Sequence, residues 1–326
     1  MKTEILKLLQ SSTESVSGQE ICNRFSVSRT AVWKVINQLK EEGYCIEAVQ
    51  NKGYRIISAP DILTEAEIAS RLKTDWAGST LSCKEETDST NTDCKKLAEQ
   101  GALHGLLCTA DTQIAGRGRR GRTWESPKGT SISMTLLLRP EIKPDQAPQL
   151  TLVMALAIAR AVSRLCSETC SIKWPNDILL NNKKICGILT EMSAEMDYVH
   201  YVVIGCGINV NQDFVPMELE QIATSIKMET GTRNQRSELI AEILQDFEQL
   251  YQQFLSSGDL SSFVEEYDNY LVNRGRVVRV LDPKGEFEGE ALGISPNGEL
   301  FVKTAAGETV KVYAGEVSVR GIYGYV

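Results

Sequence analysis

Gly116-Arg117-Gly118-Arg119-Arg120-Gly121-Arg122-Thr123-Trp124 opens with seven residues drawn only from glycine and arginine. Such a run cannot pack a core: its side chains are absent or permanently charged, and its glycines make the backbone costly to order without a partner. Glycine lets N–H groups approach a ligand closely, and arginine forks make bidentate contacts to phosphate or carboxylate. The stretch therefore predicts an anion-binding loop, and the residues after Trp124 decide the scaffold. Gly116-x-Gly118-x-x-Gly121 fits the dinucleotide fingerprint as a string, but that fingerprint needs a helix directly after it. Here the chain runs into a Ser126-Pro127-Lys128-Gly129 turn and an extended run from Ile132 to Leu138. No Gly-Lys-Ser/Thr phosphate loop occurs either. A solvated loop or a nonspecific RNA patch stays open, but four arginines on a glycine frame in an acidic segment favour a dedicated site.

Working outward, Gly105 to Ala110 is a short apolar strand leading to Gln113. Before it, Thr87-Asp88-Ser89-Thr90-Asn91 precedes a helical run from Thr92 to Glu99, and spacing alone favours a helix cap over ligand contacts for these polar residues. Downstream, a helix from Leu150 to about Leu165 is apolar on most faces and so buried. In Lys173-Trp174-Pro175-Asn176-Asp177 the proline removes a ladder donor and marks a bend. Asn181-Asn182-Lys183-Lys184 is a hairpin turn into Ile185 to Glu191, and on spacing alone its lysines read as a solvated tip. Gly205 and Gly207 interrupt the apolar strand Val202 to Val210, where glycine signals close approach of a ligand or backbone. Helices return from Arg236 to Tyr251 and from Leu260 to Tyr270.

The first sixty residues differ in charge. They carry eight Lys/Arg against six Glu, within a chain of net charge −8 that by itself disfavours wholesale nucleic-acid binding. Ile5, Leu6, Leu8 and Leu9 face a short helix inward, Ser17-x-x-Glu20 has capping-box spacing, and Ser28 caps a third helix. In that helix Val32, Val35, Ile36 and Leu39 point inward, leaving Arg29, Thr30, Trp33, Lys34, Asn37 and Gln38 outward, and with the cap Ser28 these are the candidate DNA contacts. Cations for phosphates and amides for base edges suit a recognition helix. A hairpin comes next, Tyr44 to Val49 and Tyr54 to Ile57, with Lys52 at its tip. Three helices and a hairpin predict a winged helix-turn-helix, although small helical modules also mediate protein contacts. Pro60-Asp61 reads as a linker, and Thr64-x-x-Glu67 as a second capping box.

The nine cysteines form no Cys-x-x-Cys pair and have only two histidines for company, so they read as reduced, mostly buried thiols rather than a metal site. The start of the chain lacks a signal pattern and no apolar run has the character of a bilayer span, so a cytoplasmic protein with no membrane partner is expected.

The arginine loop, Lys173 to Asp177, Lys184-x-x-Gly187-Ile188-Leu189-x-Glu191 and Gly205-x-Gly207-Ile208-Asn209, in that order behind a winged helix, resemble the biotin protein ligases in their bifunctional form, which also represses the biotin operon. The resemblance covers essentially the whole chain. It implies a multidomain α+β architecture: a winged helix-turn-helix over 1–60, a mixed α/β ligase domain resembling class II aminoacyl-tRNA synthetases over 63–271, and an SH3-like β-barrel over 272–326. It implies ATP and Mg²⁺, with biotin as substrate: biotin is converted to biotinyl-5′-AMP and passed to a lysine of a biotin carboxyl carrier protein domain, and the adenylate-bound homodimer binds operator DNA. Ser89, Thr90, Asn91, Gln113, Gly116, Arg117, Gly118, Arg119, Lys184 and Gly187 match biotin-site positions. Arg119, Arg122, Trp124, Asn176, Asp177, Asn209 and Arg320 match positions around the nucleotide, Asp177 also around the metal. Lys184, Arg119 and Arg122 match the catalytic cations. A repressor that senses ligand without turnover and a lipoate-type acyl ligase stand as alternatives.

Overall fold

The computed structural model describes the chain except residues 50, 51, 167, 168, 283, 284, 315–317 and 322–326; the side chains of Ser318 and Arg320 also lie outside the described residues. The chain begins with α1 (Lys2–Ser11), α2 (Gly18–Phe25) and α3 (Arg29–Glu41), then the hairpin β1 (Cys45–Val49) and β2 (Gly53–Ser58). Side chains set the helix starts: the Ser17 hydroxyl accepts the Glu20 N–H at 3.0 Å and the Ser28 hydroxyl that of Ala31 at 3.2 Å. Ile5, Leu6, Ile21, Val32, Val35, Ile36 and Leu39 form a core separate from the rest of the chain. The hairpin is laced to Val16 by two backbone bonds with Tyr54. Gly53 is required there, because its φ is +113° and a Cβ would sit 2.0 Å from the Val16 carbonyl oxygen.

Among the described residues the central strands form one mixed sheet in the order β3-β4-β5-β9-β8-β7-β6. They are β3 (Thr80–Thr87), β4 (Leu106–Gln113), β5 (Ser131–Leu138), β6 (Ser171–Lys173), β7 (Asp177–Leu180), β8 (Lys183–Ala194) and β9 (Val199–Asn209). Only β3 and β4 run parallel; the other neighbours are antiparallel. The helices are α4 (Glu65–Arg71), α5 (Thr90–Glu99), α6 (Gln149–Cys166), α7 (Ile226–Thr230), α8 (Arg236–Ser257) and α9 (Val264–Tyr270).

Period-2 alternation explains how β5 can be buried throughout. Ile132, Met134, Leu136 and Leu138 join the main core with α6 and α8, whereas Leu137 joins Cys94, Ala98 and Val203 beneath α5. Ser133 and Thr135 share that second face, buried behind the residues that line the candidate site. Helix α6 lies within a stretch, Pro144–Cys166, long and apolar enough to cross a membrane, but its apolar residues are buried in this core.

The chain closes with β10 (Val277–Leu281), β11 (Phe287–Ile294), β12 (Leu300–Thr304), β13 (Thr309–Val312) and β14 (Ser318–Gly321), an antiparallel sheet ordered β13-β12-β11-β10-β14. Its inner residues Val278, Val280, Leu300 and Val302 continue the core of the central sheet. Trp174 fastens the two by donating its indole N–H to the Gly298 carbonyl at 3.0 Å.

The joint between the first sixty residues and the central sheet is polar and buried. Glu67 does stand in the first turn of α4, and its N–H donates to the Thr64 hydroxyl at 3.3 Å. Its carboxylate does not turn back to complete the expected capping box, however. It accepts Gln10 from α1 at 3.0 Å, Arg71 at 2.6 Å and the Ser237 hydroxyl from α8 at 2.9 Å, together with the Tyr44 hydroxyl. Burial beside this carboxylate pushes the Tyr44 phenol well above its ordinary value. Arg236, 1% exposed, forms a second hub: Nε lies 3.1 Å from Asp61 of the linker, and Nη1 donates to Asp111 at 2.5 Å and to the Ser131 carbonyl at 2.9 Å.

Candidate active site

The cleft opens where the end of β4 and the strands β9 and β8 meet the start of α5, and the arginine loop covers it. Ser89, Thr90, Asn91 and Gln113 line one wall, Asn176, Lys184 and Gly187 another, with Arg117, Gly118, Arg119 and Trp124 above and Gly205, Cys206 and Gly207 below. The helix-cap expectation at Ser89 is corrected here. Helix α5 starts two residues earlier than expected, at Thr90, and Ser89 occupies the N-cap without a capping bond from its side chain. Ser89, Thr90 and Asn91 are buried and face the cleft. Gln113 is bonded to this corner: its Oε1 accepts the Thr90 N–H at 2.8 Å.

The arginine loop folds as a closed strap. Gly116 O accepts the Trp124 N–H at 2.9 Å, Gly118 donates its N–H to Arg122 O at 2.7 Å, and Arg120 turns the chain in the left-handed region at φ 59°. Gly116 permits the crossing, since a Cβ there would lie 2.4 Å from Trp124 O. The strap points Arg119 inward, where Nη1 donates to Asn176 Oδ1 at 2.7 Å and Nη2 to Ala314 O at 2.7 Å, joining the loop to the residue before β7 and to the segment after β13. Burial lowers the Arg119 guanidinium from its ordinary value, with the Asp177 charge opposing. Arg117 and Arg122 are exposed; Arg117 still borders the cleft, whereas Arg122 does not reach it.

Trp124 lies against bare backbone. A Cβ on Gly207 would sit 2.4 Å from the indole Nε1, and one on Gly187 would sit 3.3 Å from its Cζ3. Of these two glycines, Gly207 is legible in the sequence as a close-approach position, but that Trp124 fills the slot is not. Its Nε1 is buried with no acceptor among the described residues.

The solvated-tip reading of Lys184 is also corrected. Asn181 and Asn182 make the two-residue turn, both at positive φ, and Lys184 is carried inward on β8. Its Nζ pairs with Asp177 Oδ1 at 2.6 Å and lies 5.5 Å from the Trp124 ring centroid. Asn176 Nδ2 donates to the same Asp177 oxygen at 3.0 Å. Asn209 stands apart: its amide donates to Thr224 O at 3.0 Å and accepts from Gln212 at 3.1 Å.

Glu191 stands out in the sequence only as part of a motif. Its Oε2 accepts Asn91 Nδ2 at 2.8 Å and its Oε1 accepts Lys95 Nζ at 2.7 Å. Burial pushes this carboxyl up, but the bonds from Lys95 and Asn91 outweigh it and hold it below the usual range. For a metal, the described residues contain no group of three His, Cys, Asp or Glu. Asp177, the carboxylate paired with Lys184, suits Mg²⁺ carried mainly by phosphate oxygens and waters, not a protein-built cage.

On α3, Ser28, Arg29, Thr30, Trp33, Lys34 and Gln38 are exposed and Asn37 half-buried, with Lys52 exposed on the hairpin. Arg29 donates to Gln19 Oε1 at 2.8 Å, which steadies it beside α2.

Residues 84–209 match the biotin/lipoate A/B protein ligase family, residues 2–55 an HTH domain and residues 275–320 the biotin protein ligase C terminal domain. The bifunctional ligase/repressor BirA of Bacillus spizizenii is 41% identical over 320 residues, covering 97% of this chain and 98% of that protein. The chain belongs to the biotin protein ligases, on the bifunctional ligase/repressor branch. The Escherichia coli bifunctional ligase/repressor is 29% identical over 93% of the chain and 92% of its own length. Among solved structures, a biotin protein ligase from Aquifex aeolicus in complex with biotin and ATP superposes with a TM-score of 0.67 at 30% identity, covering 74% of this chain and 99% of that one.

Proposed function

We propose that this ligase activates biotin with ATP to biotinyl-5′-AMP and pyrophosphate, then transfers the biotinyl group to a lysine of a biotin carboxyl carrier protein, and that as an adenylate-bound homodimer it represses biotin genes from operator DNA. We assign residues 1–60 to DNA binding, 63–271 to catalysis in a domain like the class II aminoacyl-tRNA synthetases, and 272–326 to an SH3-like unit. The observation that carries the reading is that two cations from distant segments, Arg119 and Lys184, share one cleft with a wall of hydroxyls and amides.

In the first step the biotin carboxylate attacks the α-phosphate and the bond to the β-phosphate oxygen breaks. Charge gathers on the phosphoryl oxygens, where preorganised donors are the main catalytic resource. Lys184, held by Asp177, and Arg119, held by Asn176, serve there as catalytic cations. Arg122 joins them only through a shift of the strap. Ser89, Thr90, Asn91 and Gln113 hold the biotin ring system, with Gly116, Arg117, Gly118 and Gly187 completing its enclosure. Trp124, Asn176, Asp177, Asn209 and Arg320 serve the nucleotide, and Arg320 does so with a side chain outside the described residues. Mg²⁺, when bound, supplies charge neutralisation on the phosphates, with Asp177 to hold it. In the second step the carrier lysine amine attacks the acyl carbonyl and AMP departs. The strap excludes water, which would otherwise hydrolyse the anhydride. A cytoplasmic location accords with these soluble substrates.

The test is incubation with biotin, ATP and Mg²⁺, then with a carrier domain, scoring biotinyl-adenylate and biotinylated lysine. Adenylate without transfer supports the sensor alternative, and preference for lipoate supports the other. For the DNA face, the Arg29→Ala/Lys34→Ala double variant is expected to bind operator about 10-fold or more weakly in a gel shift and to flatten the slope of log affinity against log salt by roughly 1–2. An unchanged slope would remove α3 from the phosphate contacts.

A further inference from the structure

The wall of the cleft carries its own proton bookkeeping. Asn91 Nδ2 donates to two acceptors, Glu191 Oε2 at 2.8 Å and the Leu189 carbonyl at 3.2 Å. A flipped amide would set oxygen against both, so its Oδ1 is fixed toward Thr135. The Thr90 N–H likewise fixes Gln113, whose Oε1 lies 2.8 Å from it. Among the described residues, two hydroxyls stand between these two fixed acceptors. Thr135 Oγ1 lies 2.7 Å from Asn91 Oδ1 and 2.8 Å from Thr90 Oγ1, and Thr90 Oγ1 lies 3.1 Å from Gln113 Oε1.

Two hydroxyl protons cannot serve three oxygen–oxygen contacts. If Thr135 donated to Thr90, bare oxygens would face each other at 2.7 Å; if Thr90 donated to Gln113, they would do so at 2.8 Å. The arrangement with least repulsion sends the Thr135 proton to Asn91 and the Thr90 proton to Thr135. It leaves the longest contact, 3.1 Å between Thr90 Oγ1 and Gln113 Oε1, as a pair of acceptors with no proton between them. Both residues line the cleft, and Thr135 does not. The packing protects this order: a Cβ on Gly205 would sit 1.9 Å from Asn91 Oδ1.

We infer that Thr135 is a positioning residue that commits the Thr90 proton inward, so that Thr90 Oγ1 and Gln113 Oε1 together receive one N–H from the ligand ring. Glu191 supports it by fixing the Asn91 amide. The inference rests on the biotin reading proposed above. A cyclic urea brings the N–H that relieves the acceptor pair, whereas the dithiolane of lipoate brings none. The wall therefore selects for a nitrogen-bearing ring by the direction of its protons as well as by shape.

The test is biotin affinity of the full chain by calorimetry without ATP, followed by adenylate kinetics. Thr135→Val keeps the shape but frees the Thr90 proton to turn to Gln113, occupying the acceptor pair. It is expected to raise the biotin Kd about tenfold, one hydrogen bond's worth of affinity, with kcat at saturating biotin and the KM for ATP within about twofold of wild type. Thr135→Ser is expected to restore the wild-type Kd, and methylation of the ureido nitrogens to weaken binding less in Thr135→Val than in wild type. An unchanged Kd in Thr135→Val, a Thr135→Ser variant as weak as Thr135→Val, or a KM for ATP that rises in parallel overturns the inference while leaving the biotin reading intact. A wild-type chain that fails to bind biotin overturns both.

Discussion

Lys184→Gln is expected to form biotinyl-adenylate on the order of 10²–10³ times more slowly than the wild type, the loss typical of removing one preorganised donor from a developing charge. The side chain reaches the cleft because a two-residue asparagine turn sets β8 in register with β7, and its ammonium is steered by Asp177 at 2.6 Å. Glutamine keeps most of the length and one donor function but not the charge. The pair is only partly buried, so the variant should fold with little loss of stability. Pyrophosphate release at saturating biotin and ATP reads the effect; an unchanged rate would take Lys184 out of the chemistry.

Arg236→Ala carries the largest expected loss of stability. It leaves Asp61 and Asp111, 6% and 18% exposed at their side chains, without the guanidinium that bridges them. Breaking a buried ion pair from one side costs about 3–5 kcal/mol, which lowers the melting temperature by roughly 4–7 °C in a chain of 326 residues. Adding Asp61→Asn and Asp111→Asn removes the stranded charges and should recover part of the loss. A single variant that melts with the wild type would show the hub to be energetically idle.

The sequence is most informative where chemistry is local. Inward Val32, Val35, Ile36 and Leu39, the hydroxyl caps at Ser17 and Ser28 and the strands around Gly205 and Gly207 are legible from spacing alone, and the structure holds them. Ser89 misleads because a hydroxyl before a helix has two uses, and only the position of β4 tells which one applies. Lys184 misleads because a turn's handedness decides whether its last residue points out or in. Arg236, Asp61 and Asp111 carry no local signature: their bonds span 125–175 residues of chain, and each alone is an ordinary charged residue. Glu67 is hidden by its own spacing, since a capping box would account for a carboxylate that in fact serves elsewhere.

The polar joint at Glu67 and Asp61 has a geometric consequence. A reading head hung on a slack tether could search for its half-site, but this one is clamped to the start of α8 from both α1 and the linker. If two copies paired through their central sheets, the distance and phase between their α3 helices would be dictated by that pairing rather than by the heads themselves. DNA repeats every 34–36 Å or so, and a rigid caliper accepts only spacings that match its jaws. The permitted gap between half-sites would then be encoded in surfaces that never touch a base.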